Sequence, residues 1–325
     1  MSAPSTAGPL LSVAALEKRF AVRRGAMGSA SGWLPALRGV DFEVAAGRTL
    51  ALVGESGSGK TTAARIVARL TEPDGGAITF DGQDWLALSG AALRRKRREL
   101  QIVFQDPATS LNPRMRAGDQ IAEPLRVQRL ARRVERAARV CELLAAVGLP
   151  DDVAQRYPAE LSGGQRQRVA IARALATGPR LVVCDEPASA LDPSIGAQIL
   201  NLLLDLRDRT GVAYLFISHD LAVVSRIADE IAVMYRGRIV ERARAGEILA
   251  RPLHPYSVAL LAAARGASPA GDAAAGSSAS AEEEQGCPYR ERCPIAQPRC
   301  ADERPPLAEA GIGHLAACFF AGEMP

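Results

Sequence analysis

One stretch constrains the fold of this chain more than any other: Gly54-Glu55-Ser56-Gly57-Ser58-Gly59-Lys60-Thr61, which fits the pattern G-x-x-x-x-G-K-[ST]. Glycines in these places let successive backbone N–H groups point at phosphate oxygens, and a helix that begins here adds the positive end of its dipole. The stretch predicts a phosphate-binding loop in which Lys60 reaches the β- and γ-phosphate oxygens and Thr61 ligates Mg²⁺. The neighbouring Thr62 is assigned to the same site.

The flanking sequence supports this interpretation. Residues 49–53 read as a short buried strand, and residues 63–70 carry helix formers with Ile66, Val67 and Leu70 available for a core face. The alternative is a glycine-rich turn that binds nothing, and a strand before the loop with a helix after it argues against that alternative.

Size and composition narrow the class of protein. The chain has 325 residues, 48% of them hydrophobic, which is enough for one large domain and a small one. Its net charge of +4 is too small to predict nucleic-acid binding. No apolar run approaches the roughly 18 residues that span a bilayer, and residues 1–16 lack the basic start of a secretory signal. We therefore expect a protein that stays in the cytoplasm.

Polar side chains follow three predicted strands. Gln105 ends the run from Gln101, Asp185 and Glu186 end an apolar run from Leu181, and His219 follows the run 212–217. Carboxyl ends of parallel strands converge on a ligand, so we expect Asp185 to hold Mg²⁺, Glu186 to activate water and His219 to contact a γ-phosphate. Gln105 could serve Mg²⁺ or the attacking water. The alternatives are a helix N-cap for the two acids and a satisfied core histidine.

A second predicted anion site begins at Ser162-Gly163-Gly164-Gln165. Ser162 is placed to cap an amphipathic helix, and the two glycines leave its first N–H groups uncovered. Two such sites in one chain favour a nucleotide that is gripped from both sides.

Three further segments carry predictions, and two of these segments have two possible interpretations. Phe20 ends a predicted strand from Leu10, where its ring either stacks on adenine or packs in the core. The basic run 93–98 is either a nucleic-acid patch or a solvated helix face, and the absence of interleaved aromatic residues favours the face. Residues 121–147 predict an all-α insert with a basic side.

With these motifs in order, residues 10–256 resemble the ATPase subunit of an ABC transporter. The resemblance implies an α/β P-loop fold with a mixed sheet, an N-terminal antiparallel β portion and an inserted α-helical subdomain at residues 106–165. It also implies two subunits that face each other head to tail, so that the stretch 162–165 and Asp192 contact the ATP held by the partner. A soluble ABC ATPase of DNA repair or translation shares this core but is expected to have tandem cores or nucleic-acid arms.

The stretches Phe104-Gln105-Asp106-Pro107, Ser110 to Arg114 and His254-Pro255-Tyr256 look like those of dipeptide and oligopeptide importers, in the second of their two paired ATPases. The implied partners are a paralogous ATPase subunit in a heterodimer, two transmembrane permeases and an extracytoplasmic solute-binding protein, with no nucleic acid. The implied place is the cytoplasmic face of the inner membrane, as a peripheral subunit. Nickel, glutathione and other small solutes stay open as alternatives to peptides.

The C-terminal part completes the predicted organisation, which is an ATPase domain at 1–256, a flexible linker at 257–286 and a cysteine-rich module at 287–325. Cys287, Cys293, Cys300 and Cys318 follow the spacing C-x5-C-x6-C-x17-C. A cytosolic chain disfavours disulfides, and zinc ribbons use C-x2-4-C pairs, so the residues favour an iron–sulfur site over Zn²⁺ or no metal. Similar tails of peptide-importer ATPases imply a [4Fe–4S] cluster. Cys141 and Cys184 are expected in the core.

Overall fold

The computed structural model describes residues 8–23, 30–265 and 285–323. The strands in chain order are β1 (Leu11–Arg23), β2 (Ala30–Val44), β3 (Thr49–Val53), β4 (Gly75–Phe80), β5 (Gln83–Asp84), β6 (Leu100–Val103), β7 (Leu181–Asp185), β8 (Ala213–Ser218), β9 (Glu230–Tyr235), β10 (Arg238–Arg244), β11 (Ala308–Gly311) and β12 (His314–Ala316). The helices are α1 (Lys60–Val67), α2 (Gly90–Lys96), α3 (Pro107–Ser110), α4 (Ala117–Val127), α5 (Arg133–Ala146), α6 (Gly163–Leu175), α7 (Pro193–Thr210), α8 (Leu221–Ile227), α9 (Ala245–Ala250), α10 (Pro255–Ala264) and α11 (Arg299–Asp302).

The described chain divides into two compact units. The first unit comprises residues 8–10, Val44–Thr49 and Asp81–Ile217, and the second comprises the described parts of Leu11–Glu43, Leu50–Phe80 and Ser218–Pro325. No helix in the described ranges is long and apolar enough to cross a membrane.

The first unit contains a parallel sheet and an α-helical insert. Strands β6, β7 and β8 pair in parallel in that order, and all five residues of β7 are buried. Such continuous apolar runs suit a sheet that is covered on both faces. The predicted helical segment 121–147 is two helices, α4 and α5, because the turn after α4 has Arg129 in the left-handed region at φ 55°. The basic run 93–98 lies on the end of α2 and on the 3-10 turn Arg97–Glu99 that follows, and neither has a buried residue, so the prediction of a solvated face is confirmed.

The second unit contains a mixed sheet and an antiparallel sheet. Its mixed sheet has the order β11-β12-β10-β9-β3, in which β3 and β9 are parallel and the other pairs are antiparallel. The antiparallel sheet brings β2, β1 and β4 together, with Leu11 opposite Phe80. Strand β2 begins at Ala30, and residues 24–29 between β1 and β2 lie outside the described chain.

The C-terminal segment departs from the predicted division. Helix α10 occupies the beginning of the predicted linker, and residues 266–284 lie outside the described chain. Strand β12 pairs with β10, with Ala316 opposite Glu241. The predicted separate module is therefore part of the second unit, because its strands extend that unit's mixed sheet.

A buried carboxylate fastens this segment to the sheet. Glu241 on β10 is fully buried, and its Oε1 accepts hydrogen bonds from Leu253 N at 2.7 Å and from His314 Nε2 at 2.7 Å. Its Oε2 accepts a bond from His254 N at 3.0 Å. A β-bulge between Ile239 and Glu241 turns the carboxylate inward.

Candidate ATP-binding and hydrolysis site

The phosphate loop lies in the second unit, between β3 and α1, as the sequence predicts. Lys60 is buried, and its Nζ donates to Gly54 O at 2.7 Å and Glu55 O at 2.9 Å and lies 3.3 Å from Ser58 Oγ. Within this loop Ser58 is buried, Ser56 and Gly57 are exposed, and Thr61 and Thr62 are half-buried. The loop thus curls around the ammonium group of its own lysine.

Two of the loop glycines have no room for a side chain. At Gly54, with φ 150°, an added Cβ would lie 2.2 Å from Met234 O. At Gly59, with φ 108°, it would lie 2.5 Å from Ala36 O. Both positions combine a backbone conformation that favours glycine with a neighbouring carbonyl group, so the close turn depends on glycine.

The first unit brings Gln105, Glu186 and Ser189 together. Gln105 follows β6, and its Nε2 donates to Glu186 Oε2 at 3.0 Å and lies 3.4 Å from Ser189 Oγ. Ser189 Oγ in turn donates to Glu186 O at 3.0 Å. The predicted catalytic glutamate is therefore held by the predicted glutamine, with its carboxylate half-buried.

The backbone of Glu186 is strained. Its φ is 48°, which is uncommon for a residue other than glycine, and its N–H donates to Ile217 O on β8 at 3.1 Å. Strain of this kind costs about 1–3 kcal/mol and clusters at functional sites. Asp185 before it is 3% exposed at the end of β7. A carboxylate at that depth fits a Mg²⁺ ligand, because burial of a charge is costly unless it is compensated.

The second predicted anion site is a capped helix N-terminus in the first unit. Ser162 Oγ accepts from Gln165 N at 3.3 Å, and Ser162 N donates to Gln165 Oε1 at 3.0 Å. The predicted N-cap is thus a full capping box, with Ser162 and Gly163 exposed. A Cβ at Gly164 would lie 2.7 Å from Ile195 Cγ2, so this glycine lets α7 pack close to α6.

Three other predicted site residues, Phe20, Asp192 and His219, are exposed. Phe20 is 42% exposed with Lys18 Nζ 5.6 Å from its ring centroid, so its interpretation as a core aromatic is wrong. Asp192 is the exposed N-cap residue of α7, and its side chain makes no capping bond. His219 is exposed after β8.

The two cysteines outside the tail differ in burial. Cys184 is fully buried as predicted, whereas Cys141 is partly exposed beside a groove of the insert.

The four cysteines of the tail line one small cavity of about 10 Å³, beside His254 and Tyr289. Burial raises the pKa of Cys287 and Cys293, and it raises that of Cys318 to about 11. In the described ranges, no three His, Cys, Asp or Glu side chains are placed to hold a metal ion. The four sulfurs therefore share a cavity without forming a metal-binding group in the described residues, and the predicted [4Fe–4S] cluster or Zn²⁺ site stays a prediction.

Sequence comparison identifies the family. The ABC transporter profile matches residues 37–189, and the profile of the oligopeptide/dipeptide transporter C-terminal region matches residues 240–300. A putative peptide import ATP-binding protein of Brucella ovis is 48% identical over 323 residues, which cover 97% of this chain and 98% of that protein. The chain belongs to the ATP-binding subunits of ABC transporters. Its branch is the oligopeptide/dipeptide importer family, and it is an ATPase that powers transport.

Other relatives agree with this placement of the ATP-binding subunit. A glutathione import ATP-binding protein of Pectobacterium atrosepticum is 50% identical over 82% of this chain, which spans 43% of that protein. The dimeric post-hydrolysis structure of the ATP-binding cassette MJ0796 bound to ADP and Pi has a TM-score of 0.64 at 29% identity. The match covers 72% of this chain and 98% of the MJ0796 chain. CbiO1 of Clostridium perfringens has a TM-score of 0.64 at 27% identity, over 74% of this chain and 91% of its own. The ABC ATPase fold with its mixed sheet is confirmed.

Sequence reasoning missed two residues that hold the phosphate loop of this subunit. Glu55 N donates to Tyr256 Oη at 2.7 Å, and the Glu55 carboxylate pairs with Arg292. Tyr256 belongs to the stretch His254-Pro255-Tyr256, which sequence analysis used only as a mark of the family. Arg292 carries no signal except its place directly before Cys293.

Proposed function

We propose that this ATP-binding subunit powers the import of dipeptides and oligopeptides by hydrolysing Mg-ATP in a head-to-tail dimer. The observation that carries the hydrolytic part is the position of Glu186, a half-buried carboxylate on strained backbone that accepts a bond from Gln105 at 3.0 Å. The peptide part is supported by the C-terminal profile at residues 240–300 and by the 48% identical peptide import relatives.

The proposal assigns roles to the residues that the sequence singled out. Glu186 orients and deprotonates the attacking water, Lys60 and His219 bind the γ-phosphate, and Phe20 stacks on adenine. Lys60 would exchange its bonds to Gly54 O and Glu55 O for phosphate oxygens. The loop supplies backbone N–H groups from the residues Gly54, Glu55, Ser56, Gly57, Ser58, Gly59, Lys60, Thr61 and Thr62.

Magnesium would be held by the hydroxyl group of Thr61, the buried carboxylate of Asp185 and the amide oxygen of Gln105. The ion supplies charge that neutralises the triphosphate. The amide of Gln105 already donates to Glu186 through Nε2, which leaves its oxygen for the ion or its water shell.

The partner's nucleotide would be completed by Ser162, Gly163, Gly164, Gln165 and Asp192. Ser162 Oγ accepts from Gln165 N, so its own hydroxyl proton can donate to a phosphate oxygen. The N-terminus of α6, where Ser162 and Gly163 are exposed, adds positive dipole charge at the same place. Both features are what an anion brought by a second subunit requires.

The hydrolytic assignment is tested with Glu186→Gln in the chain co-purified with its membrane partners. The amide cannot take a proton, so we expect phosphate release to fall at least about a hundredfold while ATP binding is retained. Glu142→Gln on the exposed side of α5 is the matched control and should hydrolyse ATP at the wild-type rate. Unchanged hydrolysis by the Glu186→Gln variant would exclude Glu186 as the base.

The partners proposed are a paralogous ATPase subunit, two permeases and an extracytoplasmic solute-binding protein, with this subunit at the cytoplasmic face of the membrane. Helices α4 and α5 of the insert line a groove of about 670 Å³ that could receive a permease segment. Native mass spectrometry of the purified complex distinguishes two identical ATPase subunits from two different ones. A complex with identical subunits would refute the heterodimer.

Glutathione is a second candidate solute, because the glutathione import relative is 50% identical over its matched region. Selectivity is expected to lie in the solute-binding protein, so its bound ligand should be identified by mass spectrometry after co-purification. Peptides support the main proposal. Glutathione or a nickel chelate in their place would contradict it.

For the tail we propose that a [4Fe–4S] cluster, or Zn²⁺ as the alternative, is bound by Cys287, Cys293, Cys300 and Cys318. The support is that all four side chains line one cavity. That cavity of about 10 Å³ would have to expand, and the thiols would have to lose their protons. Iron and acid-labile sulfide assays after anaerobic purification decide the matter, and zinc alone would refute the cluster.

A further inference from the structure

Glu55, the second residue of the phosphate loop, is held at three points. Its carboxylate accepts two bonds from Arg292, from Nη1 at 3.0 Å to Oε2 and from Nη2 at 2.9 Å to Oε1. Its N–H donates to Tyr256 Oη at 2.7 Å, and its carbonyl accepts from Lys60 Nζ at 2.9 Å. Two of the three partners come from beyond residue 250, so the C-terminal segment contacts the loop directly.

Arg292 is itself fixed in the tail. It ends a short 3-10 turn that begins at Arg290 and directly precedes Cys293, and its guanidinium lies 5.6 Å from the ring centroid of Tyr289. Tyr289 packs against Tyr235 and Tyr256, with ring centroids 5.3 and 5.5 Å away. A planar guanidinium that is stacked and bidentate loses less freedom per bond than a mobile surface side chain.

We propose that Arg292 is a positioning residue of the nucleotide site, which neutralises Glu55 and fixes the start of the phosphate loop for the triphosphate. The proposal rests on the ATP-binding function proposed above and goes beyond it, because it makes the cysteine-bearing tail part of the nucleotide site. A change in the tail at Cys293 is then one residue away from a group that controls ATP affinity.

The physical reason is charge. Glu55 places a carboxylate in a loop that must bind a highly negative ligand, and Arg292 cancels that charge. When Arg292 is removed, the carboxylate repels the phosphates and the loop loses one of its anchors, so ATP should bind more weakly. When Glu55 is neutralised instead, the repulsion disappears and the unpaired arginine attracts the ligand, so ATP should bind more tightly.

The test is a double-mutant cycle on the full chain, read as the Kd of a fluorescent ATP analogue at low salt. We expect Arg292→Gln to weaken binding two- to fivefold, which is roughly the range for partly exposed ion pairs. Glu55→Gln should tighten binding by a similar factor, and the double variant should return to within about twofold of wild type. Arg299→Gln is the matched control, because Arg299 lies in the same tail and pairs with Glu303.

A second readout separates positioning from folding. In steady-state hydrolysis Arg292→Gln should raise KM for ATP by the same factor and leave kcat unchanged, and its thermal midpoint should match that of Arg299→Gln. The charge-reversed pair, Glu55→Arg with Arg292→Glu, should bind more tightly than Arg292→Glu alone.

The outcomes discriminate clearly. Wild-type affinity in Arg292→Gln overturns the proposal, and so does a double variant as weak as Arg292→Gln, because the arginine would then act without Glu55. A wild-type chain that binds no ATP analogue instead refutes the proposed ATP-binding function. The predicted recovery in the double variant supports the positioning role.

Discussion

The buried carboxylate of Glu241 should be essential for keeping the C-terminal segment on the sheet. It is fully buried and accepts from Leu253 N, His254 N and His314 Nε2, with the last two distances 3.0 and 2.7 Å. We consider two substitutions, Glu241→Gln and Glu241→Ala, which remove one acceptor and both acceptors respectively.

The magnitudes follow from the bonds that are lost. In Glu241→Gln the amide oxygen can stay with the two donors at Oε1, and the NH₂ group then faces His254 N, which is left unpaired at a cost of about 1–3 kcal/mol. In Glu241→Ala three buried donors lose their acceptor, and one is a histidine that formed a buried pair, so we expect about 3–5 kcal/mol.

The assay combines urea denaturation with hydrogen exchange, because a chain with two compact units need not unfold in one step. Hydrogen exchange should be faster at Leu253 N, His254 N and Ala317 N, the last of which donates to Val240 O. The increase should be smaller in Glu241→Gln and larger in Glu241→Ala. Glu309→Gln on the exposed strand β11 of the same tail is the control, and because its amide oxygen can still accept from Gly313 N it should change stability by no more than about 0.5 kcal/mol. A Glu241→Ala variant within that limit, or with unchanged exchange, would refute the reasoning.

Two further predictions concern the loop and the first unit. Gly59→Ala should abolish measurable binding of an ATP analogue, because its Cβ would lie 2.5 Å from Ala36 O, whereas Gly57→Ala, with nothing within 4 Å, should weaken binding less; equal effects would contradict the steric argument. Asp81→Asn should lower the free energy of unfolding measured with urea at pH 7 by up to about 1 kcal/mol, because hydrogen bonds from Lys96 and Arg180 lower the pKa of Asp81 in the folded state. That stabilisation is present above the ordinary carboxyl value of 3.8 and is lost as the pH falls through the lowered pKa. Wild type and variant should therefore converge at acidic pH below that ordinary value, and a constant gap would show that the charge is not its source.

The parts of this protein that could be predicted from its sequence are those governed by local rules. The loop at Gly54, the cap at Ser162 and the polar strand ends at Gln105 and Glu186 each depend on residue types within a few positions of one another. The structure places Gln105 and Glu186 in contact and builds the capping box at Ser162. The spacing of these residues along the chain was enough to predict the site, because the end of a short strand or the start of a helix fixes the position of the side chain that it carries.

The missed features depend on long-range pairing and on one irregular strand. The charged Glu241 is buried beside Val240 at a bulge that interrupts the regular register of β10. No local pattern shows that His314 will reach Glu241 or that Arg292 will reach Glu55, since those pairs are 73 and 237 residues apart. The linker predicted at 257–286 suggested a separate module, whereas the residues that pair with the tail lie far from it in the sequence.

The arrangement of the mixed sheet gives the tail a short connection to the nucleotide loop. Strand β3 delivers the loop, β9 pairs with β3, β10 pairs with β9, and β12 of the tail pairs with β10. Tyr235 ends β9 and packs on Tyr256, whose hydroxyl group binds Glu55 N. The tail is therefore connected to the loop by two routes. One is the series of paired strands from β12 to β3, and the other is the direct contact of Arg292 with Glu55. Because Glu241 secures the first route and Arg292 the second, a variant at one should leave the other contact in place, and their effects on ATP affinity should differ: loss of Arg292 changes the charge at the loop, whereas loss of Glu241 changes only how firmly the tail is held.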